Sequence, residues 1–113
     1  NHIAISGGIT ESITRALKKG LNNIEVECDT LDQVKEAVDA GAHMILFDNM
    51  SSAQMTKAVS IVDGRVPTEA SGDINIKTIR EKASTGVTYI SVGCLTHSAP
   101  AVNIGLDWLP KIN

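Results

Sequence analysis

AGAHMILFD, at residues 40–48, and TGVTYISVG, at residues 85–93, align with each other without a gap. Each stretch begins with a small residue and a glycine and continues into apolar and β-branched residues. A glycine before such a run is typical of a place where a helix ends and a buried strand follows. The repeat therefore predicts that one strand–helix unit occurs more than once in this chain.

Four short apolar runs are predicted to be strands, at residues 24–28, 44–48, 66–70 and 89–93. Apolar residues three or four positions apart predict helices at residues 9–17, 31–38, 55–62 and 76–83, and a glycine follows each of them. Two helix starts carry a capping-box pattern, Thr30 with Gln33 and Ser51 with Gln54. Alternating units of this kind predict an α/β fold of parallel strands covered by helices. Periodicity alone leaves a barrel and an open sheet as alternatives.

The composition excludes several classes of protein. With 113 residues, 42% of them hydrophobic, and a net charge of −3, the chain is typical of a globular protein of the cytoplasm. It has no apolar run near the roughly 20 residues of a membrane span. A basic run and an aromatic stacking surface are both missing from the sequence, which disfavours a nucleic-acid partner. A closed barrel needs about 200 residues or more, so we expect this chain to be part of a longer protein.

Three of the four predicted strands end on or beside a carboxylate. Glu27, Asp48 and Glu69 follow one another at intervals of 21 residues. Because right-handed crossovers place the carboxyl ends of parallel strands at one edge, these side chains are expected to lie close together. A single carboxylate there is equally well explained as a helix cap or a partner of lysine. Three in register favour a binding site.

The loops after the last two strands have a different character. Ser71-Gly72-Asp73 follows the third strand, and a segment from Gly93 to His97 and Ser98 follows the fourth. Backbone N–H groups at such turns bind anions, and these loops commonly form the phosphate site of (β/α) barrels. Together with the carboxylates, they predict a ligand that carries a phosphate at one end and hydroxyl groups or a metal at the other. A phosphoribosyl donor meets both requirements.

Five segments carry a resemblance to a known family: NHI at residues 1–3, IEVE at 24–27, FDNM at 47–50, EASG at 69–72 and GCLTHSAP at 93–100. They resemble quinolinate phosphoribosyltransferase, also called nicotinate-nucleotide pyrophosphorylase (carboxylating). The resemblance covers essentially the whole chain, and the LTHSAP run is its most specific part. It implies a TIM-like α/β barrel, closed or open. Residues 1–113 would be its C-terminal half, with the N-terminal half and an N-terminal domain outside this chain.

The resemblance implies an enzyme that transfers phosphoribosyl from phosphoribosyl pyrophosphate to quinolinate in the presence of Mg²⁺. The products would be nicotinate mononucleotide, CO₂ and pyrophosphate, on the route to NAD. Glu27 and Asp48 would be catalytic and would face the ribose hydroxyls and the metal. The implied substrate-binding residues, of which the first four would hold the 5′-phosphate, are Ser71, Gly72, Gly93, His97, Glu69, Asp73, Asn1 and His2.

Two features depart from the family or lie outside the chain. Family members commonly have Gly or Asn where this chain has Asp73, and a carboxylate there would repel a phosphate. We therefore expect the Asp73 side chain to cap a helix that begins near Asn75. The family's cationic residues that bind quinolinate lie upstream of Asn1, and a neighbouring subunit of a homodimer or larger assembly supplies an arginine. Residues 1–113 alone are therefore predicted to be inactive.

Several alternatives remain open at this stage. His2 could equally brace the end of a preceding strand, whereas His43, Cys28 and Cys94 are better explained by packing or solvation. The resemblance also allows a paralogue linked to molybdate transport. Another sugar-phosphate barrel, such as an isomerase, is disfavoured because no predicted strand ends in a lysine base. A non-catalytic fragment is the remaining possibility.

Overall fold

A computed structural model of the chain describes residues 1–98, 100–102 and 104–106. Ala99, which belongs to the GCLTHSAP segment, and Trp108 lie outside the described residues. The elements are α1 (His2–Ser6), α2 (Ile9–Lys18), β1 (Glu25–Cys28), α3 (Leu31–Asp39), β2 (Met44–Asp48), α4 (Ser52–Val62), β3 (Thr68–Ser71), α5 (Ile79–Ala83), β4 (Tyr89–Ile90) and a 3₁₀ turn (Gly93–Leu95). Among these residues, no helix combines the length and the apolar character needed to cross a membrane.

The four strands found in the described part of the chain form one parallel sheet in the order β1-β2-β3-β4. Its order follows the chain without reversal, so right-handed crossovers place every connecting helix on the same face. This is the arrangement of (β/α) barrels, whereas the strand order of doubly wound sheets reverses at a switch point. The predicted fold class, parallel βα repeats of the barrel type, is confirmed.

The two faces of the sheet differ in their surroundings. One face presents Val26, Cys28, Ile45, Phe47 and Ala70, all at most 5% exposed, to the core beneath the helices. Alternate residues point to the opposite face, which the described helices leave exposed or half-buried: Glu25, Glu27, Met44, Leu46, Asp48, Glu69, Ser71 and Tyr89. In a barrel, such positions face the interior. The carboxylates predicted at the strand ends therefore lie on the face that a barrel turns inward.

Helices α3 and α4 begin directly after Thr30 and Ser51, the residues at which the capping-box patterns predict their starts. The Oε1 atom of Gln33 accepts from the backbone N–H of Thr30 at 3.1 Å, and Gln54 does the same for Ser51 at 2.9 Å. Each hydroxyl in turn accepts from the backbone N–H of its glutamine at 3.3 Å. Both capping boxes are confirmed, and each stabilises its helix by about 1 kcal/mol. They fix where the loops after β1 and β2 end.

Helix α5 begins at Ile79 and is shorter than predicted. Asn75 forms a local turn instead, because its Oδ1 accepts from the N–H of Lys77 at 2.9 Å and its own N–H donates to Thr78 Oγ1 at 3.1 Å. Asparagine favours such side-chain-to-backbone turns over helix interiors. Ile76, which the periodicity placed on the apolar face of this helix, is 88% exposed.

The third and fourth strands also differ from their predicted bounds. β3 begins at Thr68, after Pro67, which has no N–H to donate to the sheet although its carbonyl still accepts from Ile45 at 3.1 Å. β4 ends at Ile90, and the predicted strand end at Gly93 opens the 3₁₀ turn. Neither this turn nor helix α1 was predicted from the sequence.

Candidate functional site

Three carboxylates meet at the carboxyl ends of β1 and β2. One oxygen from each of Glu27, Asp29 and Asp48 lies within 4.8 Å of the others. Glu27 and Asp48 are the pair expected from the sequence. Asp29 was not predicted, although its position one residue beyond a strand is the same kind of signal. Carboxylate oxygens are the ligands that Mg²⁺ prefers, so this acidic cluster (Glu27, Asp29 and Asp48) has donor atoms suited to a hard cation.

Asp48 lies directly beside the next strand end. It is half-buried and is paired with Ser71 in the parallel sheet. The N–H of Asn49 donates to the Ser71 carbonyl at 3.1 Å, and Asn49 Nδ2 donates to Asp48 Oδ2 at 2.8 Å. The acidic cluster and the turn after β3 therefore adjoin at one edge of the sheet.

The Ser71–Gly72 turn brings its backbone against β2. Gly72 and Asp73 are consecutive residues with positive φ, at 90° and 50°. A Cβ at Gly72 would lie 2.5 Å from Asn49 Cγ and 2.9 Å from Asn49 N. Only glycine fits both the backbone angle and this close approach. The turn thus packs closely on Asn49.

The turn after β4 places His97 over Gly93. The N–H of His97 donates to the Gly93 carbonyl at 3.1 Å, and a Cβ at Gly93 would lie 2.7 Å from His97 Nε2. Cys94 Sγ lies 3.5 Å from the Ile74 carbonyl, which connects this turn to the segment after β3. The four residues expected to hold a phosphate thus lie on two adjoining loops, at the same edge as the acidic cluster.

Glu69 lies outside the acidic cluster. It sits within β3 on the uncovered face, is half-buried, and accepts a hydrogen bond from the Ser91 hydroxyl. Burial raises the pKa of Glu25 above its ordinary value, and the negative charge of Glu69 raises it further. Two like charges therefore oppose each other on the inward face.

We expect Glu25→Gln to stabilise the fold at neutral pH. Because the pKa of Glu25 is raised in the folded state, that state binds more protons, and stability falls as pH rises through the carboxyl range. Removing the charge should raise the free energy of unfolding at pH 7 by about 0.5 kcal/mol, the scale of exposed charge pairs. Urea unfolding at pH 7 and at roughly pH 3, where carboxyls are protonated, measures this difference. Glu81→Gln on exposed α5 is the control, and an equal gain at both pH values would contradict the assignment.

The capping role predicted for Asp73 is wrong. The N-cap of α5 is Thr78, five residues further on, and among the residues that the structure describes no side-chain hydrogen bond caps that helix. The Asp73 side chain has no hydrogen bond to any residue that the structure describes, while its carbonyl accepts from Asn75 Nδ2 at 3.3 Å. The turn made by Asn75 delays the helix, so the Asp73 carboxylate stays exposed beside Gly72.

Asn1 and His2 lie on the β1 side of the site. Both are exposed at the start of α1, where Asn1 occupies the N-cap position. They line a groove of about 580 Å³ along edge strand β1, together with Glu27 and Asp29. His2 therefore shares an open groove with two members of the acidic cluster.

Cys28 and His43 have structural roles, as expected. Burial, followed by the charges of Asp29, Glu36 and Glu27, raises the pKa of the Cys28 thiol to about 12. Such a thiol stays protonated at neutral pH and does not act as a nucleophile. His43 Nδ1 accepts from the N–H of Ile24 at 3.1 Å and holds the loop before β1.

The fold is shared with solved structures of one family. The nicotinate-nucleotide pyrophosphorylase from Ehrlichia chaffeensis is 49% identical, with a TM-score of 0.81 over 87% of this chain and 36% of that one. The enzyme of the same name from Francisella tularensis is 41% identical, with a TM-score of 0.81 over 85% of this chain and 35% of that one. A structure titled native KDPGal is 17% identical, with a TM-score of 0.65, and shows likeness of fold alone.

Curated relatives similar to this chain carry the same enzyme name as these two solved structures. A protein of Bacillus subtilis (strain 168) named "Probable nicotinate-nucleotide pyrophosphorylase (carboxylating)" is 39% identical over 95% of this chain and 38% of its own length. A chloroplastic enzyme of that name from Oryza sativa subsp. japonica is 37% identical over 94% of this chain and 34% of its own length. The chain thus spans little more than a third of these relatives. Residues 1–107 match the family described as "Quinolinate phosphoribosyl transferase, C-terminal domain", and the chain belongs to that family.

Proposed function

We propose that residues 1–113 are the C-terminal half of the α/β-barrel domain of a quinolinate phosphoribosyltransferase. The N-terminal half of the barrel and an N-terminal domain would come from residues outside this chain. The greater length of the relatives supports this proposal. The uncovered sheet face and the groove along edge strand β1 support it too, because further βα units could pack there.

The proposed reaction joins quinolinate to phosphoribosyl pyrophosphate and yields nicotinate mononucleotide, CO₂ and pyrophosphate. One observation carries the proposal: the acidic cluster and the Ser71–Gly72 turn adjoin at one edge of the sheet. A ribose 5-phosphate has hydroxyls that the acidic cluster could bind and a phosphate that the Ser71–Gly72 turn could bind. Glu27 and Asp48 would accept hydrogen bonds from the ribose hydroxyls. Their charge would stabilise the positive charge that develops on the ribose ring as pyrophosphate leaves.

The 5′-phosphate would bind between the two glycine turns. Backbone N–H groups at Gly72 and Gly93 and the Ser71 hydroxyl are suitable donors, and a His97 imidazole can donate one further hydrogen bond. Asp73 is exposed beside this turn, and its charge opposes direct contact with phosphate. We therefore propose that Asp73 faces a hydroxyl group of the substrate.

We propose a Mg²⁺ site on the acidic cluster. Glu27 and Asp48 would hold the ion, and Asp29 adds a third oxygen donor within the same 4.8 Å. When bound, Mg²⁺ would neutralise charge on the departing pyrophosphate. Glu69 on the inward face, and Asn1 and His2 in the groove, would contact the parts of the substrates that lie away from the phosphate.

The second substrate calls for groups beyond this chain. Quinolinate carries two carboxylates, yet within the described residues none of the four strands, nor the residue directly after each, is Lys or Arg. We propose that upstream residues and an arginine of a neighbouring subunit supply the positive charge, in a homodimer or larger assembly.

The exposed free thiol of Cys94 suits a reducing compartment, which supports a cytoplasmic location.

The test is an assay of the complete protein with phosphoribosyl pyrophosphate, quinolinate and Mg²⁺, with nicotinate mononucleotide quantified by chromatography. We expect product with quinolinate and none with nicotinate as the acceptor. Chelation of the metal should abolish turnover. Release of pyrophosphate with another acceptor, and none with quinolinate, would overturn the proposed substrate and favour the paralogue linked to molybdate transport.

A further inference from the structure

Asn49 connects the two parts of the site through one side chain. Its Nδ2 donates to Asp48 Oδ2 at 2.8 Å. On the other side, its Oδ1 and Cγ fill the space that a side chain at Gly72 would occupy, with Cγ 2.5 Å from the position of a Cβ there. The same residue donates its backbone N–H to Ser71 at 3.1 Å. Asn49 therefore contacts both the acidic cluster and the Ser71–Gly72 turn.

The surrounding loop holds Asn49 in place. Its φ of 50° lies in the left-handed region, which asparagine tolerates better than most residues. The ammonium of Lys82, reaching from α5, donates to the next carbonyl, that of Met50, at 2.7 Å. The capping box of α4 begins immediately afterwards at Ser51. With its backbone fixed on both sides, Asn49 can fix the groups that its side chain contacts.

We propose that Asn49 is a positioning residue that orients the Asp48 carboxylate and sets its distance from the Ser71–Gly72 turn. The hydrogen bond to Oδ2 restricts rotation of the Asp48 carboxylate, and contact with Gly72 sets how closely the turn approaches. This inference rests on the proposed function, because it assigns the two parts of the site to opposite ends of one ribose phosphate. Asn49 would act through Asp48 and the Ser71–Gly72 turn, which its side chain contacts.

The test compares Asn49→Gly with a matched control, Asn23→Gly. Asn23 is also a left-handed asparagine, with φ 61°, but it lies before β1 at the opposite edge of the sheet. Glycine removes the same side chain from both positions without backbone strain. The probes, applied to the complete protein, are Mn²⁺, with free ion counted by electron paramagnetic resonance, and inorganic phosphate, measured by calorimetry.

We expect Asn49→Gly to weaken binding of both probes about tenfold, the order of one hydrogen bond to a charged group, while Asn23→Gly changes neither. Wild-type affinity of Asn49→Gly for either probe would overturn the proposal. So would equal losses in the two variants, or failure of the unaltered protein to bind the probes. Both binding measurements are made without turnover. If binding depends on Asn49 but the complete protein has no transferase activity, the proposed reaction is wrong while the role of Asn49 stands.

A double-mutant cycle with Gly72→Ala supplies an independent measurement. In the wild-type background, the new Cβ meets both the side chain and the backbone N of Asn49. In the Asn49→Gly background, the side-chain part of that clash is gone. The loss of phosphate affinity caused by Gly72→Ala should therefore be at least threefold smaller in that background. Equal losses in the two backgrounds would show that Asn49 does not set the turn.

Discussion

Asp48→Asn should lower kcat/KM for phosphoribosyl pyrophosphate by about 10²- to 10³-fold in the complete protein, with the fold intact. The change keeps the size of the side chain but removes one negative charge from a cluster whose oxygens lie within 4.8 Å. Loss of one preorganised electrostatic group commonly costs a factor of this size. The Mg²⁺ concentration that gives half-maximal rate should rise as well, because an amide is a weaker ligand for a hard cation than a carboxylate. Initial rates at varied substrate and Mg²⁺ measure both effects.

Asp63→Asn is the matched control for this prediction. Asp63 is exposed at the end of α4, at the other edge of the sheet, and its φ of 48° suits asparagine equally well. We expect its kinetics to equal those of the wild type. In the double variant Glu27→Gln/Asp48→Asn, the fold-loss of kcat/KM should be smaller than the product of the two single fold-losses, because the two carboxylates act in one cluster. A kcat/KM within twofold of wild type in Asp48→Asn would remove Asp48 from the reaction.

The second strand shows what local sequence could predict. Its bounds, Met44–Asp48, were predicted without error, because Gly41 marks the preceding helix end and Ser51 the following cap. The convergence of Glu27 and Asp48 was also predicted, because both residues end strands of the βα repeat and right-handed crossovers bring the carboxyl ends of parallel strands to one edge. Hydrophobic periodicity did not give the strand order, because it does not encode which strands pair; only the family resemblance implied a barrel. The pairing of Asp48 with Ser71, which brings Asn49 against Gly72, could not be predicted from periodicity for the same reason.

The loop after the third strand shows where local patterns mislead. Ile76, Ile79 and Ala83 have helical spacing, and Asp73 stands where a cap could be expected. Asn75 instead uses its side chain to form a turn, and the helix begins four residues later. Side-chain-to-backbone bonds of asparagine compete directly with helix formation. The periodicity covered the whole of α5, but only the last part of the predicted span, Ile79–Ala83, is helical.

Residues 1–113 alone should give no detectable turnover, which is the largest effect expected. The described strand ends offer carboxylates and backbone N–H groups, which suit a metal and a phosphate but not the two carboxylates of quinolinate. The inward face also leaves Met44 and Leu46 only half-buried, so packing against further βα units is needed to remove them from water. Turnover should return when the upstream portion is co-expressed as a separate chain.

Two measurements make this last prediction decisive. Cooperative unfolding of the isolated chain, together with retained binding of inorganic phosphate, establishes that the Ser71–Gly72 turn is still formed. Calorimetry with quinolinate should then show no binding by the isolated chain and clear binding by the reassembled protein. Formation of nicotinate mononucleotide by residues 1–113 alone would mean that this chain itself neutralises the two carboxylates. Since its strand ends carry negative charge, that outcome would contradict the assignment of the acidic cluster to the ribose and the metal.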